Sequence, residues 1–535
     1  MSSLSGKFKT LFTTFRDSGM TGVAQRVIDW NITRRQNQQY QEWLSKAGKV
    51  DVTFESLTTQ PCISVVVPVF NVDEKWLRSC IDSVVRQIYQ NWELCIADDA
   101  STKPHVRRVL QEYSDSDPRI KVVFREKNGH ISAASNSALE IATGEYVVLL
   151  DNDDELSPDA LFWVAHELDT FPDAAIIYSD EDLIDENGRR FGPKFKPDFS
   201  RELFYSLNLL THLSAFRTDL IRSIGGFQIG TEGSQDYDLE LRVIEQIDES
   251  QIRHIPRILY HWRVIRGSVA FSMDEKPYAH ERARDALRQH FKRTGVEAEV
   301  VESFHNLHRV SYTGSDPEPR VSVIVIDMGE PVTSEHDVVY ERNAEALNQA
   351  ATAASGEVLV FIDSTLRAED ADAIGELASF AMHPDIGAVG GRILKNSLRV
   401  EQAGIVLAKD LSPRPAHAGY ARTSPGNMYR NRQIGNYVAI SSSCMAIRKS
   451  LFEEAGGFDA GLELFDIDLC LRLREMKKRI VVLPHVEFRR VGPTPERNYS
   501  TAELARLRDR WPAYIEGDPF CNRNLKRDGS FDIDV

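Results

Sequence analysis

The sequence predicts an α/β protein: two helix-covered, mainly parallel sheets in tandem, preceded by a short basic helical extension. Three observations carry this. From Pro61 onward, short runs of β-branched residues that are apolar throughout alternate with segments of helical period; strands buried on both faces read this way, and parallel neighbours need helical crossovers. A block of the first half recurs in the second, where "SAASNSALEIATGEYVVLLD" (132–151) aligns without gaps on "AEALNQAATAASGEVLVFID" (344–363). Acidic residues also gather where the apolar runs stop, which in open sheets is where ligands sit.

The chain has 535 residues, 42% hydrophobic and 27% charged, enough for two ordinary cores. A formal net charge of −16 argues against nucleic acid as a partner, because phosphate binding needs a basic stripe. Six cysteines without a CxxC pair suggest neither a zinc site nor a disulfide framework, and a reducing cytoplasm is the expected compartment. No apolar run approaches the roughly 20 residues of a bilayer span. Residues 1–50 carry eight basic against three acidic residues. Phe8, Leu11, Phe12 and Phe15 recur there at helical spacing. Two readings stay open: this segment lies on an anionic membrane surface, or it docks onto the catalytic domain.

The first domain alternates "CISVVVPVF", the helical "WLRSCIDSVVRQ", "WELCIADD", the helical "HVRRVLQEYS", "IKVVFRE", the helical "SAASNSALEIA" and "EYVVLLDNDD". Asp98, Asp99, Asp151, Asn152 and Asp153 thereby fall at strand ends. In an extended chain residues i and i+2 share a side, so Asp151 and Asp153 can face one ion while Asn152 points away. A hard cation such as Mg²⁺ or Mn²⁺ takes one or two carboxylates and completes its shell with phosphates and water. The acids are not needed as caps: Ser157, Pro158 and Asp159 supply the next helix start. The Asp98–Asp99 pair reads equally as a turn before "ASTKP" or as a ligand group.

"ISVVVPVFN", "WELCIADDAST", "ISAASNSALEIATGEYVVLLDNDDEL", "GSQDYDLELRV" and "LYHWR" occur in order with consistent spacing between about Pro61 and Val269. Together they resemble glycosyltransferase family 2, the inverting GT-A enzymes, and within it the subgroup that builds O-antigen and rhamnan-type surface polysaccharides. The resemblance implies a Rossmann-like mixed sheet, a nucleotide-sugar donor held at Pro68, Asp98, Asp99, Asp151 and Asn152, and a metal at Asp151 and Asp153. It further implies that Asp236 is the general base and that His261 meets the diphosphate or the metal, although a lone histidine also reads as structural. Trp262 walls the donor pocket or packs. Asp180 and Glu181, ending another apolar run in "YSDEDLID", are expected on sugar hydroxyls; His212 and Trp262 are acceptor-side candidates. Asp238, two residues along the helix from Asp236, reads as a charge at the helix start.

The second domain departs from this pattern. It reads Asp363-Ser364-Thr365-Leu366 where the first has Asp151-Asn152-Asp153-Asp154, its opening "VSVIVIDMGEP" is compressed, and "EFRRV" stands for "LYHWR". Asp466 still stands where Asp236 does. The expected organisation is a basic helical extension (1–60), a catalytic GT-A domain (61–300) and a degenerate GT-A-like domain (318–535) that binds the growing glycan or an assembly protein. The expected function is metal-dependent transfer of a hexosyl or rhamnosyl group to a lipid-linked glycan at the cytoplasmic face of the inner membrane. The alternative is a non-catalytic glycan-binding or scaffold protein. A nucleotidyltransferase is disfavoured by the lack of a Gly-rich loop after the first strand.

Overall fold

The computed structural model describes residues 34–46, 57–265, 277–313, 318–326, 337–339, 343–494 and 499–535. Phe8, Leu11, Phe12 and Phe15 lie outside these residues. The described residues fall into two compact units, one within Lys49–Gly314 and one within Ser315–Val535, the second joined by helix α1 (residues 34–46). Among the described residues no helix is long and apolar enough to cross a membrane.

The first unit contains, in order, β1 (Ile63–Val69), α2 (Glu74–Val85), β2 (Trp92–Asp98), α3 (Pro104–Ser116), β3 (Ile120–Phe124), α4 (His130–Ile141), β4 (Tyr146–Leu149), β5 (Glu155–Leu156) and α5 (Ala160–Thr170). There follow β6 (Ile176–Ile184), β7 (Arg190–Lys194), α6 (Arg201–Ser206), β8 (Ser214–Arg217), α7 (Thr218–Ser223), α8 (Gln235–Ile244), β9 (Ile252–Arg263), α9 (Pro277–Thr294), β10 (Ala298–Glu302) and β11 (His308–Tyr312). The main sheet runs β3-β2-β1-β4-β8-β6-β9-β5, with β7 on β6. Strands β1 to β4 are parallel, whereas β8 and β5 run antiparallel to their neighbours, so the sheet is mixed.

Local sequence explains the pieces. All seven residues of β1 are buried, as a strand covered on both faces requires. In α2 the buried Leu77, Cys80, Ile81 and Val84 repeat at helical spacing and face the sheet; α3 begins on Pro104, whose fixed φ suits a first helical position. Because β1 pairs with β2 on one side and β4 on the other, the chain reverses its winding between β1 and β4. A crevice beyond their carboxyl ends is the expected consequence.

The second unit comprises β12 (Val321–Ile326), β13 (Asp337–Val339), α10 (Ala344–Ala353), β14 (Val358–Asp363), β15 (Leu366–Ala368), α11 (Ala373–Met382), β16 (Ile386–Leu394), β17 (Val400–Gln402), β18 (Ile405–Leu407), β19 (Pro413–Pro415), β20 (Gly435–Asn436), β21 (Cys444–Arg448), α12 (Lys449–Glu454), α13 (Phe465–Glu475), β22 (Arg479–Arg490), α14 (Thr501–Arg510) and α15 (Ala513–Glu516). Its sheet order, β13-β12-β14-β21-β16-β22-β15 with β17 on β16, repeats β2-β1-β4-β8-β6-β9-β5 with β7 on β6. The compressed opening therefore still supplies β12 and β13.

The duplication extends to individual bonds. Asn136 on α4 donates to Phe227 O (2.8 Å) and accepts from Phe227 N (2.8 Å); Asn348 on α10 does the same with Phe458 at 2.7 and 2.8 Å. Asp238 holds Arg242, which donates to the carbonyls of Ile224 and Gly226, and Asp468 holds Arg472, which donates to those of Ala455 and Gly457. Asp238 thus lies in the first turn of α8, as expected, and in addition is a buried anchor for the "GGF" turn. Gly226 (φ +70°) could not carry a side chain, since a Cβ there would lie 2.5 Å from Asn136 Oδ1.

Candidate active site

The crevice at the ends of β1 and β4 has a volume of ≈ 770 Å³ and is lined by, among others, Pro68, Asp99, Asp151, Asn152, His212 and Asp236. The acidic stretch after β4 is a turn, with Asp154 N donating to Asp151 O at 3.2 Å, so the extended-chain argument for Asp151 and Asp153 does not hold there. The labour is divided instead by burial. Asn152 Nδ2 donates to Pro68 O at 2.7 Å and stitches the turn to β1. Asp154 is buried and accepts from Tyr260 Oη (2.6 Å) and the Arg263 amide (2.7 Å). Burial, reinforced by the charges of Asp153 and Asp151, pushes its carboxyl well above the ordinary aspartate range. Asp151 keeps its side chain 44% exposed, open to a ligand. The acidic turn therefore combines an exposed group, Asp151, with a structural anchor, Asp154, whose partner Tyr260 lies far away along the chain.

His212 stands at the centre. Its ring stacks on Tyr260 (centroids 4.5 Å apart, 22°), its Nδ1 lies 3.2 Å from Glu181 Oε2, and its Nε2 lies 4.0 Å from Asp151 Oδ2. Glu181 does not reach the crevice as a sugar ligand. It is buried between Lys194 (2.5 Å), Lys196 (3.8 Å) and His212, and although burial opposes it, the two lysines and His212 hold its carboxyl well below the usual range. Lys196 is itself buried, which pushes its ammonium down to about 8, and its Nζ donates to the carbonyls of Thr211 and His212. Lysine and glutamate together fix the loop that carries His212. Asp180 is likewise turned away from the crevice: fully buried, it accepts from Lys196 N (2.8 Å) and His254 Nε2 (2.9 Å). Alternation along β6 put Asp180 and Glu181 on opposite faces, and each found its partner far away in sequence.

Asp236 lies in the first turn of α8, after Ser234 at the N-cap, where a carboxylate meets the positive end of the helix. Asn208 Nδ2 lies 3.4 Å from its Oδ2. Burial raises its affinity for a proton, and the Asp151 charge adds to this against the opposing pull of His212 and the Tyr237 amide. A carboxylate so raised is a stronger proton acceptor than an ordinary aspartate.

The other sequence candidates sit nearby in different roles. Asp99 lines the crevice, but its carboxylate is already met by Arg125 Nε (2.8 Å) and Gly129 N (2.9 Å). Asp98 is buried at the end of β2 and accepts from Ser101 N at 3.2 Å, a turn bond. His261 pairs with Glu155 across the β5–β9 ladder, and its Nδ1 lies 2.6 Å from Asp182 Oδ1. A carboxylate on one imidazole nitrogen is how proteins orient a histidine that ligates a metal through the other. Among the described residues no group of three His, Cys, Asp or Glu could hold a metal by itself. The donor set at the acidic turn fits a cation that receives the rest of its shell from a diphosphate. Trp262 lines the crevice beside His212 (5.3 Å) under Lys194 Nζ (4.8 Å).

The corresponding place in the second unit is filled from within. Arg490, 2% exposed, spans Asp363 (2.9 Å), Thr365 Oγ1 (2.6 Å) and Glu401 (2.8 Å). Asp363 is the counterpart of Asp151, so a guanidinium neutralises the carboxylate left there. Asp466 is fully buried and accepts from Ser442 N at 3.0 Å and its hydroxyl at 3.2 Å.

A mixed sheet with acidic residues at the β1/β4 reversal is the arrangement expected of a nucleotide-sugar transferase fold. Residues 64–222 match the family model described as glycosyl transferase family 2, and residues 316–513 match glycosyltransferase like family 2. The chain belongs to glycosyltransferase family 2. It is 31% identical to a putative colanic acid biosynthesis glycosyl transferase of Escherichia coli, over 37% of this chain and 74% of the relative. It is 37% identical to an uncharacterized protein of Sinorhizobium fredii over 90% of this chain, and 32% identical to an O-antigen biosynthesis protein of Myxococcus xanthus over 88%. The chain spans 59% and 40% of the length of those two relatives. Among solved structures, Staphylococcus aureus TarS shows 20% identity over 43% of this chain and 72% of its own, with a TM-score of 0.33.

Proposed function

We propose that the first unit (61–300) is a metal-dependent inverting glycosyltransferase that moves a hexosyl group, rhamnosyl by subgroup likeness, from a nucleotide-sugar donor to a lipid-linked glycan in surface polysaccharide synthesis. The observation that carries this is one crevice holding the exposed Asp151, the helix-start Asp236 with its raised proton affinity, and His212 near both. Pro68, Asp98, Asp99 and Asn152 shape the nucleotide end. Asp151 and Asp153, with His261, would hold Mg²⁺ or Mn²⁺ against the donor diphosphate, and such an ion stabilises the charge that builds on the leaving group. Asp236 takes the proton of the acceptor hydroxyl as that oxygen attacks the anomeric carbon, and the nucleoside diphosphate leaves from the opposite face. His212, set by Glu181, lies between the two carboxylate sites and orders the sugar's surroundings; Trp262 supplies an adjoining wall.

The second unit (318–535) serves as a non-catalytic module for the glycan or an assembly protein, a reading supported by the Arg490 bridge to Asp363. The basic residues of 1–60 favour peripheral attachment at the cytoplasmic face of the inner membrane. A panel of nucleotide sugars incubated with protein and Mn²⁺ tests the proposal. Nucleoside diphosphate release from at least one donor, stopped by chelator and by Asp236→Asn when acceptor is present, is expected; no release from any donor sinks it.

A further inference from the structure

Beyond Asp236 the crevice continues to a wall outside the residues matched by the first family model, made by the start of α9 and the start of β11. Tyr278, Ala279 and Ala283 line it from α9, and Leu307 and His308 from the segment entering β11. The wall is fixed to the helix that carries Asp236. Ser234 Oγ, at the N-cap of α8, donates to Ala279 O at 2.7 Å. Gly233 (φ +96°) lies so close that a Cβ would come within 2.9 Å of Tyr278 Cε2 and 3.2 Å of Ala279 Cβ. Small residues at 279 and 283 leave space in front of this joint.

His308 is the unusual member. It is 4% exposed, lies nearly parallel to the ring of Tyr237 (centroids 6.2 Å apart, 21°), and its Nδ1 is buried with no hydrogen-bond partner among the described residues. Buried polar atoms are nearly always paired, so an orphan in a ligand crevice marks a place where a partner arrives. Burial, with the nearby Arg284 charge, pushes the imidazole down to about 3, so it is neutral and offers one donor and one acceptor. Tyr278 in contrast is 51% exposed, an open aromatic face at the rim.

We propose that this wall is the acceptor subsite: an uncharged pyranose ring packs on Tyr278 and Leu307, and His308 hydrogen-bonds a hydroxyl so that a neighbouring hydroxyl meets Asp236. The proposal rests on the transferase reading above. Saturation-transfer NMR on the full chain, with Mn²⁺ and UDP, GDP or dTDP present, would use methyl glycosides of glucose, galactose, mannose, rhamnose and N-acetylglucosamine as probes. Wild-type protein is expected to bind at least one glycoside, and His308→Ala and Tyr278→Ala to weaken it by about tenfold, the scale of one lost hydrogen bond or ring contact. Nucleotide binding should be unaffected, and the melting temperature reports on folding; Tyr278, being exposed, keeps the test valid if the histidine variant unfolds. Glycoside binding unchanged in Tyr278→Ala, or absent from wild type that does bind nucleotide, overturns the subsite. Wild type that binds no nucleotide with Mn²⁺ overturns the transferase reading and the subsite with it.

Discussion

Asp236 and Glu181 are both deeply placed, yet their surroundings push their proton affinities apart. Asp236 faces desolvation and the Asp151 charge and binds its proton more tightly than an ordinary aspartate; Glu181 sits between two lysines and His212 and binds its proton more weakly. Ionising Asp236 in the folded state therefore costs stability, and Asp236→Asn should lower kcat by about 10²–10⁴-fold while the melting temperature holds or rises. The acidic limb of the pH–rate profile should lie above the ordinary aspartate range and vanish in that variant. Glu181, with its depressed folded-state value, contributes stability that is complete above the unfolded glutamate pKa and disappears as pH falls through the lower folded value. Glu181→Gln leaves the buried Lys196 charge without its partner and should cost about 3 kcal/mol at neutral pH, read by urea unfolding. Asp151, Asn152, His212 and Asp236, all singled out from the sequence, line one crevice. The buried roles of Asp180 and Glu181 were not legible there, because His254 and Lys196 reach them only through the folded sheet.

Single side chains cross between elements to fix the loop before α8. Asn136 closes two backbone bonds on Phe227, and Arg242, held by Asp238, closes two more on Ile224 and Gly226. Asn136→Ala should cost about 1–3 kcal/mol through the unpaired Phe227 groups and lower transfer as α8 loosens. Asn348→Ala should cost a similar amount in the second unit and leave transfer intact, as thermal unfolding with a transfer assay would show. The repeat that reveals these pairs was visible as an ungapped alignment, and the parallel strands β1 to β4 were visible as unbroken apolar runs. The antiparallel half was harder to read: β5, β7 and β8 are short, and β8 pairs with β4 and β6 across long stretches of chain, where local periodicity carries no information on partners.

The whole molecule pairs one open acidic crevice with one closed by its own arginine. The second unit folds around the buried guanidinium of Arg490, bonded to Asp363, Thr365 and Glu401. Asp466→Asn should accordingly leave the transfer rate unchanged. Nucleoside diphosphate should bind the full chain at one site, not two. Calorimetric titration of UDP, GDP and dTDP into the full chain, with and without Mn²⁺, tests this account most directly. It predicts metal-dependent binding of at least one nucleotide at one equivalent per chain, lost in Asp153→Ala. Binding of equal strength without metal, or undiminished in that variant, would contradict it.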